Sequence, residues 1–299
     1  MLDFLSKFKR GRVWSLAVYT EPDGFSFENK PQCIRFVLDS KKIRVKGKRH
    51  VHTYADPFLF SFDDELYLFY ESQAVGEDGK IDAYKTRDLS EFEYVGEVLR
   101  EPFHLSYPFV FSEGSSVFSI PETLARNEVS LYKFEEFPKT LIKSRVLLTG
   151  SYRDSFLFKH DGIWYLFTTS DAGLEIFYTD DFEKGNFVTH PNNPITNDPR
   201  YERCGGSIIT INDELYRIAQ DCSSEYGKNI SILRVKNLSK TNYDEVVFAE
   251  NYFDLDQSWN SQGGHHLSLV KFNGKTVIAV DGKQNDFYIN KFLALLHRF

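Results

Sequence analysis

Five residues stand at matching points of five similar stretches: Asp56, Tyr107, Asp154, Gly205 and His266, separated by 51, 47, 51 and 61 residues. Fifteen positions after each comes a second set, Glu71, Glu122, Thr169, Gln220 and Asp281. The polar members interrupt runs of apolar residues, where a charge is costly unless it has a partner or a role. Carboxylates facing one another across a cleft suit glycosyl chemistry. One serves as base or nucleophile and another as acid, around an oxocarbenium-like transition state. Asp56 and Asp154 are the foremost candidates, with Glu122 next. Arg153, beside Asp154, and Arg203 can each take a carboxylate or phosphate bidentately. His265 and His266 suit acid–base work or the holding of a diphosphate. Tyr107, Asp221, Glu71 and Asp281 complete the set expected to bind substrate or donor. A competing structural reading is that the acidic positions satisfy backbone donors where sheets meet.

Elements that would bring these residues together are legible around each of them. Residues 54–71 read as strand, acidic turn and strand, and the pattern returns four more times. Its later turns carry Glu113-Gly114, Asp161-Gly162, Asn212-Asp213 and Asn273-Gly274. Hairpins with such turn chemistry, repeating about every fifty residues, are the signature of propeller blades. The spacing predicts an all-β fold: a single five-bladed β-propeller over residues 1–299 with a central funnel. The first strand of each blade would line the axis, so the first column would ring one mouth. Strand alternation places the second column near the same mouth.

Composition agrees with that expectation. Aromatic residues make up 16%, with 28 Phe and 17 Tyr, which suits sheets packed face to face. The three cysteines, Cys33, Cys204 and Cys222, have no metal-type spacing and suggest a reducing, cytoplasmic setting. A net charge of −7 argues against general nucleic-acid binding. No apolar run reaches the length of a membrane span, and no secretion signal is recognisable. No Asp-X-Asp triplet stands at a strand end, so metal-independent chemistry with no cofactor is the expectation.

Two basic segments stand out. Residues 1–12 mix Leu2, Phe4, Leu5 and Phe8 with Lys7, Lys9, Arg10 and Arg12. They read either as an amphipathic segment lying on an anionic membrane or as a terminus packed against the propeller. Lys41 to Arg49 form a basic cluster just before Asp56, where a phosphate-bearing donor or acidic polymer would be attracted. A solvated hairpin is the alternative.

The Ala55-Asp56-Pro57 and Arg153-Asp154-Ser155 segments resemble the five-bladed propeller glycosidases of the arabinanase/xylosidase and invertase/levansucrase groups. Those enzymes carry an Asp in blade one, an Asp in blade three and a Glu in blade four. More closely, four segments resemble the propeller domain of glucosamine inositolphosphorylceramide transferases and of bacterial surface-polysaccharide biosynthesis proteins. They are Pro121-Glu122-Thr123, residues 158–167, Ala219-Gln220-Asp221-Cys222-Ser223 and Gly264-His265-His266-Leu267-Ser268. The similarity covers nearly the whole chain.

One departure from the glycosidases matters. Gly205 stands where a hydrolase would have its acidic Glu, and the nearest acid, Glu202, lies three residues upstream. An alkoxide leaving group needs that proton, whereas a nucleoside phosphate needs positive charge and donors instead. The expectation is therefore a glycosyltransferase of capsule, O-antigen or glycolipid synthesis. It would move a sugar, furanosyl units such as fructose first among them, from a nucleotide-sugar donor to a polysaccharide or glycolipid acceptor. The alternatives are a glycoside hydrolase using Glu122 or Glu202 as acid, and a non-catalytic carbohydrate-binding propeller.

Overall fold

The computed structural model describes residues 10–40, 51–74 and 76–287. The Lys41–Arg49 cluster and all but the last three residues of the 1–12 segment lie outside them. Strands dominate, and the helical element among the described residues is the short 3-10 turn Leu124–Arg126. In chain order, β1 (Arg10–Pro22) and β2 (Ile34–Leu38) are followed by β3 (Val51–Phe62), β4 (Glu65–Ala74), β5 (Lys80–Thr86) and β6 (Glu93–Leu99). Next come β7 (Ser106–Glu113), β8 (Ser116–Glu122), β9 (Glu128–Glu136) and β10 (Thr140–Thr149). A third group is β11 (Arg153–His160), β12 (Ile163–Ser170), β13 (Gly173–Thr179) and β14 (Val188–Thr189). The last are β15 (Arg203–Ile211), β16 (Glu214–Asp221), β17 (Asn229–Leu238), β18 (Tyr243–Ala249), β19 (Leu267–Phe272) and β20 (Lys275–Phe287).

Turn chemistry sets the hairpins. Asp63 and Asp64, Asp161 and Gly162, Asn212 and Asp213, and Asn273 and Gly274 are left-handed at both positions. Two successive left-handed residues make the hairpin turn whose twist matches its strands, and Asp, Asn and Gly tolerate that conformation best.

Hydrogen bonding joins the described strands into four sheets, three of them four-stranded and one eight-stranded. The large sheet joins the strands around the first repeat to those of the C-terminal hairpin. β1 pairs along its length with β20, so the N-terminal strand completes the sheet that the C-terminal hairpin begins. One parallel pair, Trp14 with Thr53, then ties that sheet to β3–β6. The inner strands lie against one another in sequence, β3 on β7, β7 on β11, β11 on β15, β15 on β19 and β19 on β3. Aromatic side chains fill the spaces between sheets: Phe111 meets Trp164 at 5.6 Å, and Phe182 meets Phe118 edge-on at 5.1 Å. This is a propeller-type all-β architecture, and its inner strands carry the candidate residues.

Candidate functional site

A repeated irregularity builds the site. Between Ala55 and Phe58, Ser106 and Phe109, and Arg153 and Phe156, each inner strand gains one residue over its partner. These bulges put Asp56, Tyr107 and Asp154 in left-handed backbone, with φ of 51°, 47° and 51°. For Tyr in particular that conformation is uncommon, and strain of this kind costs of order 1–3 kcal/mol per residue. In β15 the irregularity is longer, between Cys204 and Ile208, and the residue with positive φ is Gly206 (147°), one beyond the expected Gly205.

Each bulge frees a backbone N–H that goes to a side chain of another hairpin, the preceding one for Asp56, Tyr107 and Asp154 and one two sheets back for Gly206. The Asp56 N–H donates to Asp281 Oδ2 (3.1 Å), and the Tyr107 N–H donates to Asp56 Oδ2 (3.1 Å). The Asp154 N–H donates to Glu122 Oε2 (3.2 Å). The Gly206 N–H is bonded to the Tyr107 hydroxyl, 3.1 Å away, which therefore reaches across to β15. Asp281 Oδ1 also accepts the N–H groups of His265 (2.8 Å) and His266 (3.1 Å). Asp154 Oδ2 accepts from Arg203 Nε (2.5 Å) and Gln220 Nε2 (3.0 Å). Members of both columns thus meet, and several carboxylates act as staples between sheets. Asp56 Oδ1 is the exception: it accepts no hydrogen bond among the described residues and faces His266 Nδ1 (3.6 Å) and His265 Nε2 (3.9 Å).

Burial sets the electrostatics. It raises the Asp56 carboxyl to about 7 despite the opposing charge of His265. It raises Glu122 to about 8, helped by Asp154 and opposed by Arg203. Glu71 is pushed well above the ordinary range by burial and by its acidic neighbours. Burial alone would lower His265, but Asp281, 2.5 Å from its Nδ1, reverses that and raises it. His266 is lowered to about 3 by burial, and neither of its ring nitrogens has a hydrogen-bond partner among the described residues. A carboxyl near 7 can take up or release a proton at physiological pH, whereas the His266 ring stays neutral there. Asp56, His265 and Asp281 each bring a ligand-type atom within 4.8 Å of the others and could hold a metal ion.

The remaining candidates are placed differently. Arg153 turns to the exposed Asp171 (3.0 Å) rather than into the ring. Asp221 is buried and held by Lys228 (3.0 Å) and the Ser223 N–H (2.9 Å). Tyr107 is fully buried, so its ring serves packing and its hydroxyl the link to Gly206. Residues that the sequence reading did not single out also stand at the site. Trp14 stacks on His265 with centroids 4.1 Å apart, and Tyr226 meets the same ring edge-on at 5.1 Å. The only sequence signal for Tyr226 was the turn it makes with Gly227.

This fold is that of the propeller-type all-β class of proteins. A beta-xylosidase/alpha-arabinofuranosidase from a compost microbial metagenome superposes with a TM-score of 0.57 at 13% identity, covering 78% of this chain and 90% of that one. An alpha-L-arabinofuranosidase from Clostridium thermocellum gives 0.54 at 16% identity, covering 78% and 83%. At such identities the likeness is one of fold. The chain belongs to the family described as glucosamine inositolphosphorylceramide transferase 1, N-terminal, which matches residues 40–283. It is 34% identical over 247 residues to glucosamine inositolphosphorylceramide transferase 1 of Arabidopsis thaliana, and 32% identical over 244 residues to that of Oryza sativa subsp. japonica. Each match covers 76% of this chain but 32% and 33% of the relative, so the chain spans about a third of their length.

Proposed function

We propose that the chain is a five-bladed propeller working in glycosyl transfer, that its carboxylate ring receives the acceptor sugar, and that Asp56 takes the proton from the attacking hydroxyl. Five blades are supported by the cyclic contacts of the inner strands and by the joining of β1 to β19–β20. Transfer is supported by membership in a family named for transferases. The carrying observation is Asp56 Oδ1, the uncommitted oxygen of a buried carboxylate raised to about 7. A base works best with a pKa near the operating pH, and positioning one contributes about 10²–10⁴-fold.

The acceptor's reacting end is neutral in this reading. Among the described residues, the cations near the ring are already matched by carboxylates: Arg203 by Asp154, Lys228 by Asp221 and Arg153 by Asp171. A nucleotide-activated donor would have to displace those carboxylates, so its phosphates are held outside the ring. The neutral polyol end of a glycolipid headgroup fits the acceptor role. A second reading is hydrolysis with Glu122 as acid, since that carboxyl keeps its proton to about pH 8.

Thermal shift with neutral oligosaccharides, myo-inositol and nucleotide sugars tests this. A ligand at 100 times its Kd stabilises by about 2.7 kcal/mol. Neutral sugars are expected to raise Tm and nucleotides to leave it unchanged. A response to nucleotides alone overturns the assignment, and sugar release from bound oligosaccharides, lost with Glu122→Gln, would put the hydrolase in its place.

A further inference from the structure

We infer that Tyr226 is the platform on which the bound sugar ring lies, and that Lys283 sets its position; the inference rests on the carbohydrate reading above. Tyr226 belongs to the connection between β16 and β17 and is 43% exposed, at the edge of a ring whose carboxylates are buried. It is nonetheless fixed to the site from three sides. The Arg203 guanidinium carbon lies 4.9 Å from its ring centroid while the same side chain holds Asp154. Its ring stands edge-to-face with His265 at 5.1 Å and with Trp14 at 5.9 Å. Its hydroxyl lies within electrostatic reach of Asp56, Asp154 and Glu71.

The backbone under Tyr226 is held with equal care. Lys283 is fully buried, and its Nζ donates to the Tyr226 carbonyl (2.7 Å) and lies 3.3 Å from Glu225. Glu225 also pairs with Arg12 of β1. Gly227 is left-handed (φ 64°), and a Cβ there would come within 2.5 Å of Trp14. A lysine is rarely buried without a partner, and here its partners are one loop carbonyl and one loop carboxylate. That arrangement fixes where a single exposed aromatic ring stands.

A partly exposed aromatic ring beside buried carboxylates matches one ligand chemistry well. A sugar ring offers an apolar C–H face to the aromatic and a rim of hydroxyl donors to the acids. An anion has no such match, because Lys283 and Arg203 are already opposed by Glu225 and Asp154.

Titration calorimetry on the full chain tests the inference, with xylotriose, arabinotriose, chitobiose and myo-inositol as probes. Tyr226→Ala is expected to weaken the tightest of them about tenfold, while Tyr226→Phe and Tyr226→Trp stay within about threefold. Glu225→Ala, at a half-buried position, is expected to weaken the same probe by a smaller factor and to speed amide exchange over residues 223–228. Lys283→Met is expected to do both more strongly. Unchanged affinity in Tyr226→Ala overturns the platform, as does an equal loss in Tyr226→Phe, which would leave the hydroxyl as the contact. Unchanged exchange and affinity in Glu225→Ala and in a folded Lys283→Met overturn the positioning role. If the wild-type protein binds none of the probes, the carbohydrate reading falls and takes this inference with it.

Discussion

Arg203 Nε lies 2.5 Å from Asp154 Oδ2, so the cation beside β15 is spent on the carboxylate of β11 and joins two sheets at the candidate site. Asp154 is 2% exposed, and without Arg203 that oxygen would keep Gln220 Nε2 as its donor. Breaking a buried pair from one side leaves an uncompensated charge. Arg203→Ala is expected to cost about 3 kcal/mol in urea unfolding. In an Asp154→Asn background the same change should cost less than about 1 kcal/mol, because no charge is left behind. Equal costs in the two backgrounds would show that packing, not the ion pair, is what Arg203 supplies.

Stability should fall as pH rises. Burial lifts Asp56 to about 7 and Glu122 to about 8, so between the ordinary carboxylate range and pH 8 the folded chain holds protons that the unfolded chain has lost. Folding then takes up protons, and stability declines with pH across that window. His265 acts in the same direction: its pKa is raised, so its contribution is complete below the ordinary histidine value and is lost above it. Asp281 is lowered, and its contribution is lost only as pH drops below the ordinary carboxylate range. His266 works the other way below the ordinary histidine value, where the unfolded chain binds a proton that the folded ring does not, so Tm is expected to decrease from about pH 7 to about pH 9. Glu122→Gln, which keeps an acceptor for the Asp154 N–H, should flatten that slope and stabilise the protein at pH 9 by on the order of 1 kcal/mol. A slope identical to wild type would mean that Glu122 ionises freely in the folded state.

Much of this site was legible because strand alternation is periodic. Repeat spacing put Asp56 in the first column and Asp281 in the second, near the same mouth, and the two are joined through a backbone N–H. The bulges were not legible, since one extra residue in a strand leaves no mark in an apolar pattern. That is why the left-handed position in β15 falls at Gly206 and not at Gly205. Arg153 and Arg203 look alike in sequence, each standing at the start of an inner strand, yet one turns to Asp171 and the other to Asp154. Neighbours from other sheets decide between them. Trp14 and Tyr226 come together only because β1 is recruited to β20, a pairing between the two ends of the chain. The same long-range pairing, with the Trp14–Thr53 pair to β3, merges two repeats into a single sheet.

Gly206 tests whether the β15 irregularity is required. Its φ of 147° is one that other residues rarely adopt, and a Cβ there would run into the Leu267 carbonyl oxygen of β19. Gly206→Ala must therefore move β15 from β19 and from the Tyr107 hydroxyl. We expect a loss of about 3 kcal/mol, measured by thermal or urea unfolding. Gly114→Ala is the control, because its φ is also positive (58°) but nothing lies within 4 Å of the added atom. That variant should lose only about 1 kcal/mol. Similar losses at the two positions would show that backbone conformation, rather than the approach of β19, sets the requirement at Gly206.

Asp56→Asn separates catalysis from binding. Asn tolerates the left-handed backbone at this position about as well as Asp does, and its side-chain carbonyl can still accept the Tyr107 N–H. The fold should survive, with Tm within a few degrees of wild type, whereas Asp56→Ala loses both the acceptor and the conformational tolerance. What Asn lacks is the ability to accept a proton. If Asp56 is the base, transfer to a neutral acceptor by the complete protein should drop by about 10²-fold or more, with sugar affinity changed less than about tenfold. If transfer is unaffected while sugar binding persists, Asp56 is only a staple between sheets. The ring would then be a recognition site whose chemistry is done elsewhere.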